Sequence, residues 1–211
     1  MKFFLDSADV IEIRRTADLG LLDGITTNPT LLSKTGKNTE TLLREIASIC
    51  QGPVSCEVLA TDVDGMKREA REIHSWAPNL VVKIPLTAEG IAAVRWCSNE
   101  GIKTNVTLCF TAIQALIAAK AGATYISPFV GRLDDISNDG MHLIREIKTI
   151  YDNYEFDTEI LVASIRGPMH IVESALVGAD IVTVPFNVIS KVLQHPLTAS
   201  GLAQFLADAK K

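Results

Sequence analysis

The sequence predicts a single (β/α)₈ barrel with a C-terminal helical extension, spanning residues 1–211 as one domain. Short strand-like segments alternate with helical segments along the whole chain, and eight such units give roughly 26 residues per unit, a compact form of this barrel. Several strand-like segments are almost wholly apolar, which is typical of parallel strands covered by helices. A doubly wound sheet is the alternative. The even spacing, with no inserted second domain, favours the barrel.

The eight predicted strands are short runs rich in Val, Ile and Leu. The clearest are the runs Leu-Val-Val-Lys-Ile-Pro at 80–85 and Ile-Leu-Val-Ala at 160–163. In chain order the predicted strands are 2–6, 24–27, 54–58, 80–85, 103–107, 125–130, 159–164 and 180–185.

Helical patterns fill the gaps between these strands. Three of them stop near Gly101, Gly122 and Gly178, and glycine commonly ends a helix. Pro196 is expected to separate the last two helices, because proline interrupts the backbone hydrogen-bond pattern. The predicted helices are 64–76, 89–97, 111–120, 140–151, 169–177, 186–193 and 201–209.

Composition and charge exclude several function classes. The net charge is −5 and no long basic run occurs, so neither nucleic acid nor an anionic membrane is an expected partner. No apolar run approaches the roughly 20 residues that span a bilayer. The first residues reach Asp6 without the apolar core of a signal peptide, which predicts a cytoplasmic location.

The cysteines and histidines lack the spacing of metal sites. The four cysteines form no CxxC pair and are expected to be reduced, mostly buried thiols. The four histidines form no HxH or HExxH motif and are expected on helices or beside them. No metal or other cofactor is therefore predicted. These residues are Cys50, Cys56, Cys97, Cys109, His74, His142, His170 and His195.

Polar side chains lie at or near the carboxyl ends of seven predicted strands. In such barrels the active site lies at that end, and the opposite end serves stability. The pattern therefore predicts one pocket that receives side chains from seven strands. The residues concerned are Asp6, Thr26, Thr27, Asn28, Glu57, Lys83, Asn105, Thr107, Ser127, Arg132, Ser164 and Arg166.

Lys83 is the most informative of these residues, because its neighbours Val82 and Ile84 belong to a fully apolar strand. Burial of a lysine is costly unless it has partners or a lowered pKa. A buried neutral amine is a nucleophile towards ketones. The alternative is a strand-end lysine whose head group reaches water.

Two acidic residues leave alternatives open. Glu57 would have a raised pKa in its apolar strand and would move protons, or it would serve only as the charge partner of Lys83. Asp6 would serve the chemistry at the barrel mouth, or it would be the N-cap of the helix that begins near Asp9.

Arg132 and Arg166 suit the binding of a phosphate group, since guanidinium is a planar and permanent cation. The loops after strands seven and eight of such barrels often hold phosphate at a helix N-terminus. The alternative for either arginine is a surface ion pair with Asp134 or Asp135.

Together these segments closely resemble the transaldolase family of class I aldolases over essentially the whole chain. The nearest likeness is to the short bacterial-type transaldolases and to their relatives, the fructose-6-phosphate aldolases. The segments that carry the resemblance are Phe-Leu-Asp at 4–6, Gly-Ile-Thr-Thr-Asn-Pro at 24–29, Val-Lys-Ile-Pro at 82–85, Asn-Val-Thr at 105–107, Ser-Pro-Phe-Val-Gly-Arg at 127–132 and Ala-Ser-Ile-Arg at 163–166.

The resemblance implies a role for each site residue. Lys83 would form a Schiff base with the substrate ketone, Glu57 and Thr107 would hold a catalytic water, and Asp6 would accept the proton of the C4 hydroxyl. The protonated imine would serve as the electron sink, so that no metal is needed. The hydroxyl groups of the retained fragment would bind Asn28, Asn105 and Ser127, and the phosphate would bind Arg132, Ser164 and Arg166.

Two positions distinguish the members of the resembled family. Where the fructose-6-phosphate aldolases have a glutamine and a tyrosine, this chain has Glu57 and Phe129, as in transaldolases. Phe129 has no hydroxyl to donate to an enamine intermediate, which favours transfer to an acceptor over release of dihydroxyacetone. One departure is Ile165, where the family leads us to expect phenylalanine; with Gly167 and Pro168 following, it would shift the phosphate loop.

The resulting hypothesis is a transaldolase of the pentose phosphate pathway that acts on sugar phosphates. One alternative is a fructose-6-phosphate aldolase or a related aldolase. Another is a catalytically silent barrel that binds sugar phosphates, which would not need a buried amine. The short members of this family form ring-shaped pentamers or paired pentamers, so the resemblance implies a homo-oligomer. Its contacts would include the apolar C-terminal segment at 196–211, unless that segment packs on its own barrel.

Overall fold

A computed structural model describes residues 1–210, and in it eight parallel strands close into a barrel in sequence order, with β1 paired to both β2 and β8. The (β/α)₈ prediction is therefore correct. The strands are β1 (Lys2–Asp6), β2 (Gly24–Thr26), β3 (Val54–Glu57), β4 (Leu80–Pro85), β5 (Thr104–Cys109), β6 (Tyr125–Pro128), β7 (Glu159–Val162) and β8 (Ile181–Val184).

Helices surround the barrel and cover the outward faces of the strands. They are α1 (Val10–Asp18), α2 (Pro29–Lys34), α3 (Thr39–Ile49), α4 (Val63–Trp76), α5 (Ala88–Asn99), α6 (Ala112–Ala121), α7 (Val130–Asp134), α8 (Gly140–Asn153), α9 (Pro168–Val177), α10 (Phe186–Val192) and α11 (Pro196–Asp208).

Local sequence signals explain most helix ends. Thr111 and Gln114 form a capping box at the start of α6. Gly122 and Gly178 end α6 and α9 in the left-handed conformation that glycine adopts without strain. Asp9 is the N-cap of α1, where its carboxylate accepts from the backbone N–H of Ile11. The alternative that Asp6 caps this helix is therefore wrong.

Several predicted boundaries differ from the structure. The predicted strand 125–130 ends at Pro128, and Val130 begins the short helix α7. The sheet pairing continues for one residue beyond the strand, as an isolated parallel bridge between Phe129 and Ala163. The helices α2, α3 and α7 were not predicted from the sequence. The last helix starts at Pro196 rather than at residue 201, because a proline fits the first turn of a helix, where its missing N–H has no partner to lose.

The barrel interior has an apolar layer beneath a polar layer. Phe4, Val81, Tyr125, Leu161 and Ile181 form a buried interior cluster together with Ala163. Two residues further along the same strands come Asp6, Lys83, Ser127, Ala163 and Thr183. Because side chains two apart on a strand share a face, all but one of these later positions are polar and point into the same interior. The apolar layer closes the amino end, and the polar groups face the carboxyl end.

Gly24 gives the apolar layer its space. An added Cβ at this position would lie 2.4 Å from Cε1 of the Phe4 ring, which is fully buried. The ring also contacts Tyr125 edge-on, at 6.4 Å between centroids. Glycine is therefore required here for close approach and not for an unusual backbone angle.

All four cysteines are buried and free, as the sequence predicted. Burial raises the pKa of the Cys56 and Cys109 thiols to about 12, so both stay protonated near neutral pH. No helix within residues 1–210 is long and apolar enough to cross a membrane.

Candidate active site

Lys83 and Glu57 form an ion pair inside the carboxyl end of the barrel. The β3–β4 register aligns the two residues, and Lys83 Nζ lies 2.8 Å from Glu57 Oε2 and 3.1 Å from the carbonyl oxygen of Thr27. Lys83 is only 5% exposed, so its head group does not reach bulk water as the alternative supposed. The amine is therefore held within the barrel, beside a carboxylate that can exchange a proton with it.

Thr107 presents a hydroxyl group that has no hydrogen-bond partner among the described residues. It is fully buried and lines a cavity of about 450 Å³ together with Glu57 and Lys83. An unpaired buried hydroxyl is costly. At this position it is able to bind a water molecule or a substrate atom next to the lysine. The following residue, Leu108, has a φ of 61°, which is uncommon for a bulky side chain.

Asp6 faces a neighbouring cavity of about 230 Å³ that Lys83 also lines. The Thr26 hydroxyl donates to Asp6 Oδ1 at 2.8 Å and lies 2.7 Å from the hydroxyl of Thr183. Because Thr26 has one proton to donate, Thr183 donates to it in turn. Burial raises the pKa of Asp6, against the opposing effects of the Thr26 hydrogen bond and the Lys83 charge. A buried carboxyl group with a raised pKa suits proton transfer.

Asn105 and Ser127 belong to a second buried chain of hydrogen bonds. Ser127 Oγ donates to Asn105 Oδ1 at 2.7 Å, and Asn105 Nδ2 donates to Ser55 Oγ at 3.2 Å. Ser127 lines the smaller cavity, whereas Asn105 is fully buried and lines neither cavity. In this geometry Asn105 orients the Ser127 hydroxyl, and its predicted contact with a substrate hydroxyl stays a prediction.

Asn28 has a structural role as well as a place in the site. Its Oδ1 is the N-cap of α2 and accepts from the backbone N–H of Leu31 at 2.9 Å. The same residue lines both cavities. Since the cap uses the oxygen, the amide nitrogen remains to donate to a ligand.

The two predicted phosphate-binding arginines both line the smaller cavity. The Arg132 guanidinium lies over the Phe129 ring, 4.9 Å from its centroid. Arg166 pairs with Asp135 at 2.7 Å, so the surface ion pair that was the alternative for this residue exists. The pair is more than half exposed at both ends, and such pairs are weak. A phosphate group can therefore compete with Asp135 for Arg166.

Ser164 is held in an unusual backbone conformation beside α7. Its φ is 63°, and its carbonyl accepts from the backbone N–H of Gly131 at 3.1 Å. A Cβ on Gly131 would lie 2.2 Å from that carbonyl oxygen, so glycine allows the close approach. Ile165, which stands where the family resemblance leads us to expect phenylalanine, has its side chain buried in the core. Gly167 is the N-cap residue of α9 and Pro168 is its first residue.

Sequence reasoning missed Thr183, the only polar residue in the apolar strand β8. Its position two residues after the inward-facing Ile181 was the available signal. It also missed Ser55 and His170, whose importance depends on partners distant in the chain. No group of three or more His, Cys, Asp or Glu residues able to hold a metal ion occurs in the described part of the chain.

Comparisons with known proteins show the family of the chain and agree with its fold. The family model described as Transaldolase/Fructose-6-phosphate aldolase matches residues 3–211. Two similar curated proteins, each named "probable transaldolase", come from Anaeromyxobacter sp. (58% identity) and Aquifex aeolicus (59% identity); each match covers all of this chain and 98% and 97% of the relative. A solved structure assigned as a fructose-1,6-biphosphate aldolase of Coccidioides immitis aligns with a TM-score of 0.60 and 17% identity, covering 87% of this chain and 73% of that one.

Proposed function

Since the chain belongs to the transaldolase/fructose-6-phosphate aldolase family, we propose that it transfers a dihydroxyacetone unit between sugar phosphates through a Schiff base on Lys83. The donor is sedoheptulose 7-phosphate and the acceptor is glyceraldehyde 3-phosphate; the products are erythrose 4-phosphate and fructose 6-phosphate. The reaction belongs to the non-oxidative pentose phosphate pathway. The observation that carries the proposal is the buried Lys83 amine, 2.8 Å from Glu57 and beside the unpartnered Thr107 hydroxyl.

The covalent steps assign a task to each of these side chains. The Lys83 amine adds to the C2 ketone, and loss of water gives a protonated imine, with Glu57 and a water held by Thr107 moving the protons. Asp6 takes the proton of the C4 hydroxyl while the C3–C4 bond breaks, and the electron pair moves to the imine nitrogen. The resulting enamine attacks the acceptor aldehyde, Asp6 returns the proton to the new hydroxyl, and water releases the ketose.

Phe129 and Glu57 favour transfer over release. The Phe129 ring lines both cavities that Lys83 lines, contacts Phe110 edge-on and lies beneath Arg132. Phe129 has no proton to donate there. The enamine therefore persists until an acceptor aldehyde arrives.

The deciding experiment measures glyceraldehyde 3-phosphate released from fructose 6-phosphate, with and without erythrose 4-phosphate. We expect release only with the acceptor, together with formation of sedoheptulose 7-phosphate. Equal release without the acceptor, with free dihydroxyacetone, would identify an aldolase and contradict the interpretation of Glu57 and Phe129.

The proposed role of Thr107 gives a prediction with a matched control on the same strand. Thr107→Val is expected to lower kcat about 10-fold or more, because the water beside Lys83 loses its hydrogen bond. The variant should be as stable as the wild type or about 1 kcal/mol more stable, since an unpaired buried hydroxyl is removed. Steady-state kinetics and urea unfolding measure the two effects.

Thr104→Val is the control. Thr104 is also buried, and its hydroxyl has no hydrogen-bond partner within residues 1–210, but it pairs with Val82, on the outward face of the barrel. It should change stability in the same direction and leave kcat unchanged. An equal loss of kcat in both variants would mean that the effect of Thr107 is structural.

The surface of the last helix supports the proposal of a homo-oligomer. None of the described residues of α11 is buried, and Leu197, Leu202, Phe205 and Leu206 are all more than half exposed. An apolar helix face of this extent is costly in water. We expect light scattering to give a mass of about five or ten times the chain's 22.9 kDa, and Phe205→Glu to lower it; a wild-type monomer would contradict the proposal.

A further inference from the structure

His170 lies beside the candidate phosphate site and makes two specific hydrogen bonds. It is the third residue of α9, and its side chain is 15% exposed. Its Nδ1 accepts from the backbone N–H of Arg166 at 3.2 Å, and its Nε2 lies 2.7 Å from Asp134 Oδ2. Because Nδ1 accepts, the proton of the neutral ring lies on Nε2, which donates to Asp134.

The His170 imidazole makes a contact like that of a capping side chain at the start of α9. The N-cap of α9 is Gly167, which has no side chain to offer. In a capping box, the side chain at the third helical position reaches back to a backbone N–H before the helix. His170 makes a similar contact one residue earlier, with Arg166, and thereby fixes the peptide that carries a cavity-lining guanidinium.

Asp134 connects this contact to the helix that carries Arg132. It is the last residue of α7, and its other oxygen, Oδ1, accepts from the backbone N–H of Gly140 at 2.9 Å, at the start of α8. The pair of His170 and Asp134 therefore joins α7, α8 and α9. Near the start of α7, the backbone N–H of Gly131 donates to the carbonyl of Ser164.

We propose that His170 is a positioning residue that sets the affinity of this site for phosphate, an inference that rests on the proposed function. His170 itself does not line the cavity, whereas Arg132, Ser164 and Arg166 all do. Its two hydrogen bonds hold the peptide of Arg166 against the end of α7, so that both guanidinium groups face one phosphate. A site that depends on such fixed geometry loses affinity when its supports are removed.

The first test uses inorganic phosphate as the probe, which makes it independent of turnover. We expect isothermal titration calorimetry to show about 10-fold weaker phosphate binding by His170→Ala than by the wild type. The KM for erythrose 4-phosphate should rise by a similar factor, with kcat changed less than about 3-fold. Trapping of the dihydroxyacetone imine by borohydride should be unchanged, because dihydroxyacetone carries no phosphate.

Two conservative variants separate the two hydrogen bonds. An asparagine oxygen can take the place of Nδ1 but does not reach Asp134, and a glutamine nitrogen can reach Asp134 but does not replace the acceptor. Because each variant keeps one of the two hydrogen bonds, we expect both to bind phosphate more weakly than the wild type and more tightly than His170→Ala. Wild-type affinity in either variant would show that the bond it lacks does not position the site. These variants also serve if the alanine variant fails to fold.

The control is His142→Ala, since His142 is exposed on α8 and its side chain lies 3.5 Å from the Glu146 carboxylate on the same helix. It should bind phosphate as the wild type does. Unchanged phosphate affinity in His170→Ala would overturn the positioning role while leaving the proposed function intact. A wild type that traps dihydroxyacetone but does not bind phosphate would overturn both the phosphate site and this inference, and retain the Schiff base.

Discussion

Lys83→Met is expected to abolish the transfer reaction, lowering kcat by at least about 10⁴-fold, because no other group in the site can form the imine. Methionine has an unbranched chain of similar length and fits an apolar strand. Mass spectrometry after incubation with dihydroxyacetone and borohydride gives a direct test. The wild type should gain one reduced adduct on the Lys83 peptide, and the variant should gain none.

Two further variants separate chemistry from charge. Lys83→Arg keeps a cation near Glu57 and should be as inactive as Lys83→Met. Lys120→Met, at an exposed position on α6, should keep full activity and the adduct. An adduct on a different lysine in Lys83→Met, with activity retained, would refute the assignment of the nucleophile.

The same substitution has a predictable cost in stability. Lys83→Met leaves the mostly buried Glu57 carboxylate without its partner, and we expect the free energy of unfolding to fall by about 3–5 kcal/mol. The double variant Lys83→Met/Glu57→Gln removes the unpaired charge and should recover most of this loss. Urea unfolding of the three proteins measures the difference.

Asp6→Asn is expected to have the second largest effect, lowering kcat by about 10²–10⁴-fold, since the base for C3–C4 cleavage is lost. The amide keeps an oxygen that can accept from Thr26. Borohydride trapping with dihydroxyacetone should persist, because imine formation requires Lys83 and not Asp6. Loss of trapping together with loss of turnover would place Asp6 in imine formation instead.

Asp6→Asn should also change how stability depends on pH. Burial raises the pKa of Asp6 above its ordinary value of 3.8, so the folded protein holds this proton more tightly than the unfolded chain does. The stability contribution is fully present below the unfolded pKa and is lost as pH rises through the folded pKa. Asp6→Asn lacks this loss and should be more stable than the wild type at neutral pH, whereas the difference should shrink below about pH 4. Equal stability at both pH values would contradict the effect of burial.

The fold and the main chemical groups of the site were predictable because the signals are local. Alternating strand and helix patterns indicate the barrel, and a polar residue at the end of an apolar strand indicates the site. Neither signal depends on residues far away in the sequence. Asp6, Lys83 and Thr107 were found in this way, and each now lines a cavity or faces one. Thr183 obeys the same rule, because it lies two residues after the inward-facing Ile181.

Segment ends were less predictable, because they depend on contacts with other segments. Val130 has the β-branched side chain of a strand residue, yet it starts a helix, since the sheet pairing ends at the preceding residue with the bridge between Phe129 and Ala163. Asn105 has the polar character of a ligand-binding residue, but the packing of β3 and β6 around it directs its amide to Ser55 and Ser127.

The sequence by itself determined the barrel, the buried amine and the set of polar strand ends, because hydrophobic periodicity and residue type act over a few neighbouring positions. Only the tertiary structure decided which of these groups pair. The ion pair of Arg166 with Asp135 and the bond of His170 to Asp134 join residues 31 and 36 positions apart. The physical reason is that a hydrogen bond depends on distances of a few ångströms, and the register of the strands and the packing of the helices set those distances.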